Sequence, residues 1–259
     1  MKVLILAGGY GSRLSEETGP RPKPMVEIGG RPILWHIMKS YSHHGFNEFI
    51  ILCGHLGHVI KEYFANYHLR SSDVTFDLAG NTTRIHRNPS EPWSVTLLDT
   101  GSDTMTGGRV LRARPYLTQG EPFLLTYGDG VGNVDIPSLI AFHKAHGRTM
   151  TMTSAQPEGR FGALDIGTDG RVGRFVEKPK GDGAWINAGF FVCEHRMLDL
   201  LTEGDATVLE RAPLERMAAE GELYAYKHHG FWRPMDTLRD RMALDELWAR
   251  GEAKWKIWP

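Results

Sequence analysis

The chain of 259 residues has two cysteines, no apolar run of membrane-spanning length and no surplus of one charge, and each absence removes a class of function. Cys53 and Cys193 lie far apart, without Cys-x-x-Cys spacing or the even framework of a small secreted module, so both thiols are expected to be buried and reduced. Lysine and arginine number 30 against 31 acidic residues, for a net charge of -1, which leaves no basic field for nucleic acid. The apolar segment Val3–Ala7 is far shorter than a secretory core or a membrane span and ends in glycines, so a first buried strand is expected, in a cytoplasmic chain without a membrane partner.

Several catalytic signatures are missing as well. No Gly-x-Ser-x-Gly elbow is present, so serine hydrolase chemistry has no anchor. Twelve histidines occur, and His55 with His58, or His143 with His146, could share a helix face, but no His-Glu-x-x-His order accompanies them, so a transition-metal site is not expected. His43-His44 and His228-His229 read as solvated loop or strand-end residues. No repeat or low-complexity linker divides the chain. One continuous domain over 1–259 is expected, with one binding part to about residue 135 and a second, substrate-binding part from about residue 136.

What is present begins at the N-terminus. A strand runs directly into Leu6-Ala7-Gly8-Gly9-Tyr10-Gly11-Ser12-Arg13, and a proline-clamped lysine follows in Arg21-Pro22-Lys23-Pro24. Glycines let the backbone bring its N–H groups against a ligand, and a helix starting near Ser12 would add the positive end of its dipole. An anion suits such a turn. A P-loop would need Gly-Lys-Ser/Thr at its end, and a dinucleotide fingerprint would need a third glycine where Leu14 stands, so neither pattern is met. Arg13 offers a planar fork for phosphate oxygens and Lys23 a compact charge on a stiff segment, a pairing that suits a triphosphate.

The apolar patterning predicts helices over 33–45, 59–67, 137–146, 211–220 and 238–250, and strands over 49–53, 123–127, 149–156, 171–177 and 187–193. The stretch 71–99 contains short β-prone pieces at 74–77 and 95–98 and reads as a peripheral excursion. The β-α-β-α order of the first quarter argues for an α/β fold, a doubly wound, mostly parallel sheet with helices on both faces and its ligands at the carboxyl ends of the strands.

Two carboxylates stand where such a sheet exposes chemistry. Asp129 follows the strand ending at Tyr127, between Gly128 and Gly130, and Asp236 follows the aromatic run Phe231-Trp232-Arg233-Pro234. Two aspartates fit the habit of magnesium, which takes one or two carboxylates and completes its shell with water and phosphate oxygens. The plainer readings are an Asp-Gly turn for Asp129 and a helix N-cap for Asp236. Glu177-Lys178-Pro179 could bind a sugar phosphate, with Glu177 accepting from hydroxyls and Lys178 neutralising charge, and the amide of Asn187 suits a pattern of sugar hydroxyls.

Taken together, the segments 6–14, 21–25, 127–130 and 177–179 resemble the sugar-phosphate nucleotidyltransferases, and 24–29, 32–38, 104–109 and 231–237 look like the cytidylyl-transferring branch of that family. The resemblance covers nearly the whole chain. It implies a Rossmann-like mixed sheet, magnesium, and the conversion of CTP and α-D-glucose 1-phosphate to CDP-glucose and pyrophosphate by an oligomeric enzyme. It further implies that Leu6, Ala7, Gly8, Gly9, Tyr10, Gly11, Ser12 and Arg13 hold the nucleotide, that Thr104 and Arg109 contact it, that Gly128 lines its base or ribose, and that Asp129 and Asp236 hold the metal. The same reaction with UTP, dTTP or another sugar 1-phosphate, a binding module without turnover, and a dinucleotide-dependent oxidoreductase are the competing readings.

Overall fold

In Val3–Ala7, Glu48–Cys53 and Phe123–Tyr127 nearly every position is buried, because these strands lie inside a sheet covered on both faces. They are β1 (Val3–Ala7), β2 (Glu48–Cys53) and β4 (Phe123–Tyr127) of a seven-stranded sheet completed by β3 (Ser94–Asp99), β5 (Met150–Ala155), β6 (Ile186–Cys193) and β7 (Leu223–His228). The computed structural model describes residues 1–11, 14, 19, 21–87, 90–157, 163–166, 168, 171–176 and 184–259. The strand order is β7-β5-β6-β4-β1-β2-β3. All pairings are parallel except those of β6, which runs antiparallel to both β4 and β5. The sheet is therefore mixed and mostly parallel, as the fold class anticipates.

Alternation along each strand sorts side chains between two cores. Val3, Ile5 and Ala7 share one face with Phe49, Ile51, Leu124 and Phe190, packed under α1 (Ile33–His43), α2 (Gly57–Ala65) and α4 (Ile136–His146). Leu4, Leu6, Ile50, Leu52 and Leu125 point to the other face, toward α3 (Thr106–Arg112) and α5 (Ala212–Ala219). Each fully buried Leu, Ile or Val in these layers contributes about 1.5–3 kcal/mol. The C-terminal helix α6 (Leu238–Ala249) and the following Trp255 and Trp258 close over the first face.

The structure departs from the sequence reading at three points. The stretch 71–99 is peripheral only in its hairpin, Asp73–Asp77 with Thr82–Arg87, which is almost wholly exposed. β3, by contrast, is a sheet strand parallel to β2 in register Phe49↔Val95; its polar edge positions hid that role. Second, β7 carries no expectation from the sequence, since Tyr224, Tyr226 and Lys227 alternate weakly at a sheet edge. Third, His228 is buried, with its Nε2 3.1 Å from the Phe231 carbonyl, so the solvated reading fails there.

Both cysteines are free and buried. His143 and His146 do meet on one side of α4, where Nδ1 of the first and Nε2 of the second lie 2.8 and 2.7 Å from the Thr151 hydroxyl. Among the described residues, no helix is long and apolar enough to cross a membrane.

Candidate active site

A small antiparallel ladder places the two aspartates. Gly130–Gly132 pairs with Trp232–Pro234 in register Pro234↔Gly130, and the Met235 N–H then donates to the Asp129 carbonyl at 2.8 Å. Asp129 and Asp236 thereby come to one spot at the carboxyl end of β4. Helix α6 starts one residue later than the capping reading of Asp236 requires. Thr237 is the N-cap, its hydroxyl accepting from the Asp240 N–H while the Asp240 carboxylate accepts from the Thr237 N–H. The Asp236 carboxylate is thus not used as the cap.

Lys23 reaches both acids. Pro22 and Pro24 flank it in a 3₁₀ turn, Lys23–Met25, closed by the Met25 N–H donating to the Pro22 carbonyl at 2.8 Å. Its Nζ donates to Asp129 Oδ2 at 2.8 Å and to Asp236 Oδ1 at 2.7 Å, with the lysine only 9% exposed. Burial opposes the ammonium, but the charges and hydrogen bonds of Asp129 and Asp236 outweigh it and raise the Lys23 pKa above the ordinary lysine value. Two carboxylate oxygens converging on one cation are hard donors suited to magnesium, so the residues present fit such an ion. Among the described residues no set of three or more His, Cys, Asp or Glu side chains forms a metal group. Water and phosphate oxygens would have to complete the shell.

The glycine turn is held from behind by Arg109. This side chain is 4% exposed, and its guanidinium donates to the carbonyls of Gly8 (3.0 Å), Gly101 (2.6 Å) and Ser102 (3.0 Å) and to the Thr100 hydroxyl (2.6 Å). A Cβ on Gly8 would fall 2.3 Å from Nη1, so only glycine admits the guanidinium. Across the front, the Tyr10 hydroxyl donates to Asp103 Oδ1 at 2.7 Å. The turn and the 100–105 loop are thereby fastened to each other at two points.

Leu6, Ala7, Gly8, Gly9, Tyr10, Gly11, Lys23, Thr104, Arg109, Gly128, Asp129 and Asp236 all line one cleft of about 510 Å³. It opens at the carboxyl ends of β1 and β4, where a doubly wound sheet receives ligands. The Arg109 guanidinium, while lining the cleft, donates to backbone carbonyls of the turn and of the 100–105 loop. Ser12, Arg13, Glu177 and Lys178 lie outside the described residues, and with them the helix expected from Ser12. Asn187 stands beside the cleft, with Nδ2 3.2 Å from the hydroxyl of Tyr127, which lines it. Sequence reasoning missed Tyr127 and Thr106, which line the cleft, and Glu210, whose carboxylate accepts from both of their hydroxyls. Tyr127 ends the strand just before Gly128-Asp129, a position that could have signalled it, but nothing near Glu210 in the sequence does.

A cleft combining a glycine turn, a buried lysine and paired acids at a sheet edge suits nucleotide chemistry, and comparison with known proteins agrees. The nucleotidyl transferase family model matches residues 2–234. The chain belongs to that family. This nucleotidyl transferase is 59% identical over 258 residues, covering 100% of both chains, to a glucose-1-phosphate cytidylyltransferase of Salmonella typhimurium strain LT2. In fold it is similar to the crystal structure of HddC from Yersinia pseudotuberculosis, with a TM-score of 0.70 and 22% identity over 95% of this chain and 99% of that one. That protein complexed with GMP-PN gives a TM-score of 0.69, with the same identity and coverage.

Proposed function

We propose that this nucleotidyl transferase converts CTP and α-D-glucose 1-phosphate to CDP-glucose and pyrophosphate. The observation that carries the reading is the Lys23–Asp129–Asp236 cluster in the glycine-turn cleft. The likeness to the cytidylyltransferase over the whole chain supports the choice of substrates.

The turn Leu6–Gly11, with Ser12 and Arg13, receives the triphosphate through backbone N–H groups. The sugar phosphate, already an anion at neutral pH, needs no strong general base. Its oxygen forms a bond to the α-phosphorus as the bond from that phosphorus to the bridging oxygen breaks, and pyrophosphate departs with the electron pair. Lys23 neutralises charge on the α-phosphoryl oxygens, Arg13 takes the departing pyrophosphate, and Glu177, Lys178 and Asn187 hold the sugar phosphate. Asp129 and Asp236 would hold a magnesium ion, which supplies positive charge to the phosphate oxygens when bound. Lys23 stands within hydrogen-bond distance of both Asp129 and Asp236, which supports catalysis by positioning and charge neutralisation.

The discriminating experiment incubates the protein with glucose 1-phosphate and CTP, UTP or dTTP in turn and measures pyrophosphate. Release with CTP above the other two is the expected result, and ligand-dependent melting without pyrophosphate would favour a binding module.

A cytoplasmic homo-oligomer completes the reading. The buried free thiols Cys53 and Cys193 suit a reducing compartment. The exposed hairpin presents Phe76, Leu78 and Ile85 to solvent, Leu78 at 90%, which supports association through that arm. Light scattering on a sizing column tests it, with Leu78→Asp expected to lower the mass.

A further inference from the structure

Glu210 is an exposed residue beside the cleft, between the 3₁₀ turn Gly204–Ala206 and α5, and its two carboxylate oxygens are each engaged by a hydroxyl that lines the cleft. Tyr127 Oη donates to Oε1 at 2.7 Å, and Thr106 Oγ1 donates to Oε2 at 2.6 Å. The same two oxygens also accept. Asn187 Nδ2 lies 3.2 Å from Tyr127 Oη, and the Leu209 N–H donates to Thr106 Oγ1 at 3.0 Å.

The Tyr127 ring has little freedom to choose other partners. Gly189, at φ +79°, lies so close that a Cβ there would stand 2.3 Å from the ring, and Phe191 packs against it edge-on at 5.8 Å between centroids. Such a φ favours glycine in any case. The ring and its hydroxyl are therefore held in place beside the Glu210 carboxylate.

A carboxylate accepts hydrogen bonds and has no proton to give, so both hydroxyl protons are committed to Glu210. Each hydroxyl oxygen has two lone pairs. On Tyr127 one is delocalised into the ring and the other is taken by Asn187, whereas on Thr106 one is taken by the Leu209 N–H and one is left for a ligand. We propose that Glu210 is a positioning residue that makes this wall of the cleft an acceptor-only surface, which takes an N–H or O–H donor and rejects an acceptor. Resting on the reaction proposed above, the donor is the exocyclic amine of cytosine or a hydroxyl of the sugar phosphate. Uracil carries an oxygen where cytosine carries the amine, so the same wall would disfavour UTP.

The test is Glu210→Gln, whose amide can donate as well as accept and so frees at least one hydroxyl to turn its proton elsewhere. Calorimetry measures binding of CTP, UTP and glucose 1-phosphate, and pyrophosphate release gives KM and kcat, for the wild type, Glu210→Gln, the pair Tyr127→Phe with Thr106→Val, and the triple variant. One hydrogen bond is worth about tenfold in affinity. If the amine is the donor, the CTP-over-UTP ratio in Glu210→Gln falls by about that factor. If a sugar hydroxyl is the donor, glucose 1-phosphate weakens by about that factor and the base ratio stays. In either case KM moves more than kcat, and the substitution becomes silent in the background lacking both hydroxyls.

Unchanged affinities and base ratio in a folded Glu210→Gln protein overturn the proposal. So does a loss that persists in the double-hydroxyl background or that tracks a lowered melting temperature. A wild-type protein that binds CTP but releases no pyrophosphate overturns the reaction while leaving the binding comparison to decide the role of Glu210.

Discussion

Lys23 Nζ lies 2.7 Å from Asp236 Oδ1, although the two residues are 213 positions apart in sequence, and the same ammonium is 2.8 Å from Asp129 Oδ2. A lysine between two acids occupies the place where a divalent ion would meet those oxygens. On the reaction proposed above, ammonium and metal would compete for these oxygens, and a phosphate facing Lys23 would favour the metal.

Lys23→Met is expected to lower pyrophosphate release by roughly 10²-fold or more, if the ammonium acts mainly in the transition state. Removing the competing charge should at the same time tighten binding of Mn²⁺ to the nucleotide-free protein. Calorimetric titration reads the second effect directly. Near-normal turnover in the folded variant would remove Lys23 from the catalytic assignment.

Asp129→Asn and Asp236→Asn should each weaken Mn²⁺ binding measured in the presence of CTP. They should also lose turnover at fixed metal concentration, because each removes one hard anionic donor. Full recovery of rate without any rise in the metal required would speak against both as ligands.

Gly8→Ala drives a methyl group into the Arg109 guanidinium, 2.3 Å from Nη1. The side chain must leave the carbonyls of Gly8, Gly101 and Ser102, so denaturant unfolding should show a loss of about 1–3 kcal/mol. CTP affinity should fall with it, since the turn is displaced. Arg109→Met, which strands the same carbonyls without the clash, should reproduce the stability loss.

His36 is fully buried, its Nε2 2.8 Å from the Ile28 carbonyl and its ring ringed by Trp35, Trp248, Trp255 and Trp258. Burial pushes its pKa down to about 4. The folded protein thus binds fewer protons than the unfolded chain between the unfolded value of about 6.5 and that lower value. Stability is fully present above the unfolded pKa and is lost as pH falls through this window, by about 3 kcal/mol at the acid end. Urea unfolding from pH 7 to pH 4 measures it, and a His36→Gln variant should show a shallower fall.

Much of this was legible in the chain. Apolar runs such as Val3–Ala7 and Phe123–Tyr127 announce buried strands because continuous burial demands continuous apolarity. The glycine turn and the proline-framed Lys23 are local patterns, so their chemistry can be read locally. β3 and β7 escaped because edge strands carry polar residues on exposed positions, and the cap of α6 was misplaced by one residue. No local pattern around Arg109 could show that its guanidinium would donate to carbonyls of the glycine turn and of the 100–105 loop.

The sequence by itself determined the central buried strands, the place of the glycine turn and which side chains carry charge, because propensity and periodicity act over a few residues. Only the tertiary structure decided who meets whom. The pairing of Gly130 with Pro234 brings Asp129 and Asp236 to Lys23, and the packing of Gly189 under Tyr127 accompanies its bond to Glu210. Distances between residues far apart in the chain follow from long-range strand pairing and packing, which no local pattern encodes.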